Sequence, residues 1–573
     1  MALAFAGAPG LASARVYALP FLVPDFSPML RSLPLAIALA LALAASAAAK
    51  APEKDDVGLE YRLIGPNVGG RVTRVSGVVG DPTTWYLGAA QGGIWKSVDG
   101  GSSFEPIFDD MDTQSIGALA VAPSDPNVIY VGGGEANIRG NVQPGDGLFV
   151  STDAGKSWKR TLELRGAVGQ IVVHPRRSNI AFAAVLGSPF KANPERGVYR
   201  TRDSGKHWDR VLFVDADTGA SDISIDVNNP RQMWAGTWAA RRTPWGLTSG
   251  GAGSGLWHSS DGGATWERLE SGENGLPKGE WGKVGVAVSP ADGSRIFALI
   301  EAEDGGLYRS DDGGESFSLI NDHWVLRQRA WYYMTVEPDP NDADVVWFPQ
   351  VRMFRSADGG KTLAAMKGFA HGDHHDLWID PEDSNRMIAG HDGGVDVSGN
   401  GGSDWYSPDL PLGQFYNIDV DARLPYHVGG TLQDMGTVSG PSLSLTGSTG
   451  ALADWRYVGG GEAGDFRFDL AEQGMIYASE YGGYLTRYVE GSGQYRNISP
   501  VPANPSGVAP KNMAQRFQWS SPVELSPHDP ATIYHGANLL YRSRDRGESW
   551  TPVSGDLTRN DKSKQEWSGG PIT

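Results

Sequence analysis

One eight-residue pattern, Ser/Thr-x-Asp-x-Gly-x-Ser/Thr-Trp/Phe, recurs through the 573-residue chain and constrains its fold more than any other feature. Clear copies occupy residues 97–104, 151–158, 259–266, 310–317 and 543–550, centred on Asp99, Asp153, Asp261, Asp312 and Asp545. The copy around Asp203 has His207 in place of Ser or Thr, the copy around Asp358 lacks the aromatic residue, and residues 398–405 carry Asn400 and Asp404 instead. These residue types describe a hairpin turn stapled by its own side chain. The Asp accepts backbone N–H bonds, the Gly takes a left-handed conformation, and the aromatic ring packs against a neighbouring unit. Turn chemistry accounts for these aspartates, so they read as structural.

Between the copies a second pattern recurs: an alternating strand, a turn with Pro or Asp, then a strand ending in small residues, as in 116–123 followed by 128–132. Ten such units are spaced by roughly 40–60 residues, the spacing of four-stranded propeller blades. The predicted fold class is therefore all-β, a β-propeller, with 77 glycines and 19 tryptophans supplying tight turns between aromatic-rich strands. The degraded seventh turn at Asn400, and the change of character after it, divide the units into a seven-bladed propeller over 58–410 and the first blades of a second, truncated propeller over 411–573. A single ten-bladed ring is the alternative.

Residues 1–49 are a different material. Arg31 precedes an apolar run over 33–45 and two Ala-x-Ala sites end at Ala47 and Ala49. The run is shorter than the roughly 20 residues of a spanning helix, so it reads as a cleaved signal peptide, with 1–28 a misassigned extension before Met29. The expected location is secreted or periplasmic, with no membrane span after cleavage. Zero cysteines exclude disulfides, thiolate metal sites and thiol nucleophiles, and a net charge of −18 argues against nucleic acid as a partner.

In a propeller blade the patterned turn joins the third and fourth strands, so the connections between blades and the second-to-third turns share the opposite edge, where function is expected. Candidate binding residues on those connections are Glu135 and Arg139, Arg241 within a loop over 237–253, and Arg329 and Trp331. The most concentrated polar segment is His371-Gly-Asp373-His374-His375-Asp376, followed one hairpin later by His391 and Asp392. Strand alternation allows at most half of that set to converge. Its spacing matches no metal-ligand set, so neither a metal nor another cofactor is predicted. The candidate catalytic carboxylates are Asp434, Glu462 and Asp465, on glycine-rich loops that let a ligand approach closely, because glycosidic hydrolysis uses one protonated and one ionised carboxyl group.

Ile64-Gly-Pro66 with Gly69-Gly-Arg71, and Gly92-Gly-Ile-Trp95-Lys-Ser97, resemble the opening of bacterial neuraminidase-repeat (Asp-box), or sortilin-N-terminal-like, proteins grouped as glycosyl hydrolases. The stretches 374–381, 430–436 and 521–530 are similar to later signatures of that group. The resemblance covers roughly residues 58–573 and implies a carbohydrate-active propeller. A more distant resemblance is to glycoside hydrolase family 74, whose two propellers face a shared groove that cleaves xyloglucan. Asp434 is similar in local context to an acidic position of that family's second propeller. Where the family has Asp in the Asp-Val-Gly-Gly turn of its first blade, this chain reads Ala90-Gln91-Gly92-Gly93. Sialidases also carry Asp-boxes, but Tyr61-Arg-Leu-Ile-Gly-Pro66 departs from their Phe/Tyr-Arg-Ile-Pro segment. Sortilin-type receptors add a cysteine-rich module to a ten-bladed ring. Two functions follow from these readings. One is an exported glycosyl hydrolase acting on an oligo- or polysaccharide. The other is a non-catalytic module that binds an exported peptide, protein or glycan.

Overall fold

Strand formation follows the alternation of small or branched apolar residues between glycine-rich turns. The computed structural model describes residues 62–566 except 141, 445–453, 504 and 506. The signal-peptide reading at 1–49 lies outside the described residues. The described residues from 63 onward form one unit by their internal contacts. Within it the described strands make ten antiparallel sheets, each running outward in sequence order. The sheets open at Val72–Gly77, Ile116–Val121, Ala167–Val173, Thr218–Ile225, Val284–Val288, Glu337–Pro338, His374–Asp380, Phe415–Val420, Phe466–Phe468 and Val523–Leu525. Among the described residues helix is confined to short 3-10 turns. The chain is an all-β propeller protein.

Each sheet feeds two cores because successive residues of a strand point to opposite faces. In the strand Ala181–Gly187, Ala181, Ala183 and Val185 pack on the second sheet. Phe182 and Ala184 pack on the fourth. Such cores join every consecutive pair from the first sheet to the seventh. A further core returns from the seventh to the first, with Val72, Val75 and Trp85 against Ile388 and Val395. Sheets eight, nine and ten pack in series, and Leu432 and Val438 of the eighth meet Ile64 and Val68 ahead of the first. On the flank of the eighth sheet turned away from the ninth, Ile418 and Val420 are exposed, as are Leu424 and Tyr426 in the turn that follows.

The eight-residue turns join third and fourth strands. In the first, Ser103 N and Ser103 Oγ donate to Asp99 at 3.0 and 2.6 Å, and Gly101 N donates to Ser97 Oγ at 2.9 Å. The same bonds recur at Asp153, Asp261, Asp312, Asp358 and Asp545. His207 replaces the hydroxyl at Asp203, and Asn400 makes the turn with its amide. The residue after the Asp is also left-handed, even where it is Ala154, Ser204 or Arg546. The closing aromatic leans on the preceding sheet, as Trp158 does on Phe108 at 5.2 Å and Phe317 on Trp234 at 6.0 Å.

A second device links sheets near the axis. An Asp on, or just before, an innermost strand accepts a backbone N–H from the next sheet's innermost strand: Asp222 from Val286 at 2.9 Å, Asp419 from Phe468 at 2.9 Å, and Asp465 from Val523 at 2.8 Å. Asp376 of the seventh sheet does the same for Val75 of the first, at 2.9 Å.

One sequence reading is revised. Residues 237–253 are not a loop: the second strand continues as Met233–Thr243 and pairs with an extra strand, Gly246–Ser249. Trp238 is buried at the base of this hairpin, donating its indole N–H to Ser249 at 3.0 Å. The glycine-rich stretch after 428 builds strands of the eighth sheet. Its glycines permit close approach, since a Cβ on Gly429 would lie 2.3 Å from the Phe466 ring and one on Gly440 2.4 Å from the Trp455 ring.

Two expectations follow. A Cβ on Gly77 would lie 2.5 Å from the Trp378 ring, between the first and seventh sheets, whereas one on Gly399 meets nothing within 4 Å. Gly77→Ala is therefore expected to cost about 1–3 kcal/mol in urea denaturation while Gly399→Ala stays near wild type. Burial pushes the Asp222 carboxyl up to about 6, against the two backbone N–H bonds it accepts. A carboxyl raised on folding contributes stability below its unfolded pKa that is lost as pH rises through the folded one. Wild type is thus expected to gain, relative to Asp222→Asn, on the order of 2 kcal/mol between pH 7 and pH 4.

Candidate functional site

Arg71, immediately before the first strand of the first sheet, is buried and carries the site. Its guanidinium donates to Asp392 at 2.7 and 3.3 Å, to Glu135 at 3.1 Å and to Asp434 at 2.5 Å. These carboxylates come from three sheets. Glu135 lies on the second-to-third connection of the second sheet, Asp392 on that of the seventh, and Asp434 on that of the eighth. All share the edge opposite the eight-residue turns. Asp392 also accepts the Tyr332 hydroxyl at 2.8 Å and His375 Nε2–H at 2.5 Å. Asn137 donates to His375 Nδ1, which fixes that tautomer.

Around this centre Arg139 donates to Glu135 at 2.9 Å, to Gln433 at 2.8 Å and to Gln414 at 3.3 Å. Gln433 Nε2 donates to Asp434 Oδ1 and to Glu462 Oε2, each at 2.6 Å. The backbone N–H of Asp434 donates to the same Glu462 oxygen at 2.8 Å. Tyr416 bonds Gln433 and accepts the Trp519 indole N–H at 2.9 Å, and Trp519 stacks on Tyr481 at 5.2 Å.

The electrostatics follow from Arg71 contacting three carboxylates, of which Glu135 is also bonded by Arg139. Burial alone would lower Arg71 and raise Asp392, but their mutual attraction reverses both: Arg71 is held well above its ordinary value and Asp392 well below. Asp434 goes the other way. Burial, and then the charge of Asp392, raise it well above the usual carboxylate range despite Arg71. Burial keeps His375 below its ordinary value and takes His374 down to about 3, so both imidazoles are neutral. Among the described residues no group of three or more His, Asp or Glu side chains is arranged to hold a metal ion.

The remaining sequence candidates separate. Asp373 accepts Arg329 at 2.9 Å and the Tyr333 hydroxyl at 2.8 Å, beside the centre. His374 points away from His375, toward the Gln350 carbonyl and Phe369. His391 is buried and donates to Asp396 at 2.9 Å, while His371 bonds the Gly372 carbonyl. Trp331 packs against the core around Ile138 and Trp238. Arg241 pairs with Asp217 and does not reach the centre. Asp465 is buried, bound to Phe466 N, Val523 N and Arg467, and stands apart from Asp434 and Glu462 as an inter-sheet link. Sequence reasoning did not single out Arg71, Tyr332, Gln414, Gln433 or Tyr416. A lone charged residue between two glycines and an apolar strand was the available signal for Arg71.

Removing the hub leaves buried carboxylates without a counter-charge. Arg71→Gln is expected to cost about 3–5 kcal/mol at pH 7 in urea denaturation. The deficit should shrink toward pH 4 as the orphaned carboxylates take up protons.

Comparison with known proteins adds the following. The family model for sortilin, neurotensin receptor 3 (Sortilin-Vps10) matches residues 146–304. Xyloglucanase Xgh74A of Acetivibrio thermocellus is 23% identical over 318 residues, covering 48% of this chain and 36% of that protein. A probable oligoxyloglucan-reducing end-specific xyloglucanase of Neosartorya fischeri is 32% identical over 138 residues, 23% of this chain and 15% of that protein. The chain thus spans about a third or less of the length of these curated relatives. Among solved structures, the GH74 enzyme of Niastella koreensis aligns with TM-score 0.47 at 14% identity, over 86% of this chain and 80% of that one. YCF48 bound to D1 peptide aligns with TM-score 0.39 at 16% identity, over 59% and 96%. Among the described residues no helix is long and apolar enough to cross a membrane. The sequence matches make this chain a propeller protein distantly similar to the GH74 xyloglucanases.

Proposed function

We propose that the chain is an exported Asp-box propeller protein that hydrolyses an oligo- or polysaccharide at the edge opposite its Asp-box turns. In this reading Asp434 is the proton donor and Glu462 the ionised partner. The blades divide into seven over 58–410 and the first three of a second propeller over 411–573, with the packing of Val72 on Ile388 in support.

The observation that carries the reading is Gln433. Its Nε2 holds one oxygen of each carboxylate at 2.6 Å, so those oxygens are at most twice that distance apart. That bound lies below the roughly 6.5–9.5 Å carboxyl separation of inverting enzymes and on the side of the roughly 5–5.5 Å separation of enzymes that retain anomeric configuration. Asp434 is pushed toward its protonated form by burial and by Asp392, as a general acid requires. It would protonate the glycosidic oxygen while Glu462 attacks the anomeric carbon. Water would then release the sugar, with Asp434 taking the proton back. Both side chains are half-buried, within reach of a ligand.

A second reading, a non-catalytic peptide, protein or glycan module, is favoured by Ala90, which stands where glycoside hydrolase family 74 has an acid. A screen of the purified chain against labelled xyloglucan oligosaccharides separates the two. Hydrolysis with retained configuration by NMR, reduced at least about a hundredfold by Asp434→Asn and by Glu462→Gln, is the expected outcome. Binding without turnover in wild type selects the module.

A further inference from the structure

His375 and Asn137, which serve the Arg71 cluster, also line a narrow cavity to which the first seven sheets all contribute residues. It leaves about 20 Å³ for the centre of a water-sized body, room for one or two such bodies and too little for a sugar. Four donors on its walls have no hydrogen-bond partner. Arg74, on the first sheet's innermost strand, donates from Nη1 to the Thr73 carbonyl at 2.7 Å and from Nη2 to the Gly169 carbonyl, which leaves Nε. Ser221 Oγ of the fourth sheet and Thr335 Oγ1, just before the sixth, bond nothing. Lys283, just before the fifth sheet, reaches no hydrogen-bond or ion-pair partner with Nζ among the described residues and lies 5.4 Å from the Trp238 ring. Arg74, Ser221 and Lys283 are each more than nine-tenths buried.

Two cations withdrawn from water beside one cavity are costly without a counter-charge. The nearby acids do not supply it directly. Asp222 accepts the Ile223 N–H at 2.8 Å with one oxygen and the Val286 N–H at 2.9 Å with the other, and Asp376 accepts that of Val75. Among the described residues neither forms an ion pair with Arg74 or Lys283. Glu337 is held well above the usual carboxylate range by burial and by Asp376 and Asp222, so it adds no charge. Burial, and then the charge of Arg74, lower Lys283 to about 8, which keeps it protonated at neutral pH. A guanidinium Nε and an ammonium can only donate, and the two hydroxyls are free to donate as well, so the occupant that satisfies all four is an acceptor. Water accepts two hydrogen bonds at most and brings no charge.

We propose that this cavity is a binding site for a monatomic anion of chloride size, held by Arg74 Nε, Lys283 Nζ, Ser221 Oγ and Thr335 Oγ1. The anion joins the innermost strands of the first and fourth sheets to the entries of the fifth and sixth. The assignment is independent of the saccharide reading, since none of the four donors bonds Asp434 or Glu462.

The test uses the full chain, crystallised without halide and soaked in sodium bromide, with anomalous diffraction to locate the ion. In solution, chlorine NMR line broadening reads chloride binding and its displacement by bromide. One bromide between Arg74 and Lys283 is the expected result. Lys283→Met should weaken chloride at least about tenfold and Ser221→Ala about three- to tenfold. Where Lys283→Met does not fold, the bromide position and Ser221→Ala decide. A cavity that holds only water in the bromide crystals overturns the site, as does chloride broadening left unchanged by Ser221→Ala, which assigns the bound chloride to the surface. Rubidium taken up there in place of bromide would assign the cavity to a cation beside Asp222 and overturn it as well.

Discussion

The Arg71 guanidinium is the point on which the edge that carries the candidate site depends. It reaches carboxylates carried by the second, seventh and eighth sheets, so a single side chain ties residues hundreds of positions apart into one buried cluster. Two positive charges, Arg71 and Arg139, cannot satisfy Glu135, Asp392 and Asp434 together. The cluster resolves the surplus by holding Asp392 ionised, between Arg71, Tyr332 and His375, and by leaving Asp434, its most accessible acid, with the raised pKa. The raised pKa of Asp434 and the lowered pKa of Asp392 thus have the same electrostatic cause.

The acidic residues fall into populations set by environment. Aspartates of the eight-residue turns are exposed and accept several local bonds, so hydrogen bonding depresses them, Asp99 and Asp153 to about 2. Asp222 and Asp376, on innermost strands, also accept backbone bonds, yet burial outweighs those bonds and raises both. Asp465 shares their backbone link to the next sheet, which is why a carboxylate three residues from Glu462 has a structural partner instead of a place in the cluster. Along the chain Glu462 and Asp465 look alike, and only the next sheet's Val523 N–H distinguishes them.

In the extra hairpin of the fourth sheet, packing sorts neighbouring residues in the same way. Trp238 and Ala240 point into the core beside Leu247, which fixes the register of the extra strand pair, and alternation then turns Arg241 and Arg242 to different surroundings. Arg241 meets Asp217, and Arg242 meets a glycine backbone.

The sequence by itself determined the all-β propeller, the turn chemistry around Asp99 and its repeats, and which connections between strands share an edge with those of Glu135 and Arg139. Those features are local: a turn needs a particular side chain at a particular offset, and strand order fixes which connections share an edge. Tertiary structure decided the rest. That Arg71 is the hub, that His374 and His375 part company, that Arg241 is neutralised away from the centre, and that Asp465 serves the scaffold, all depend on side chains brought together from different sheets. Electrostatic partnership acts across space and leaves no periodic trace along a chain, whereas turn and strand signals are written in neighbouring residues.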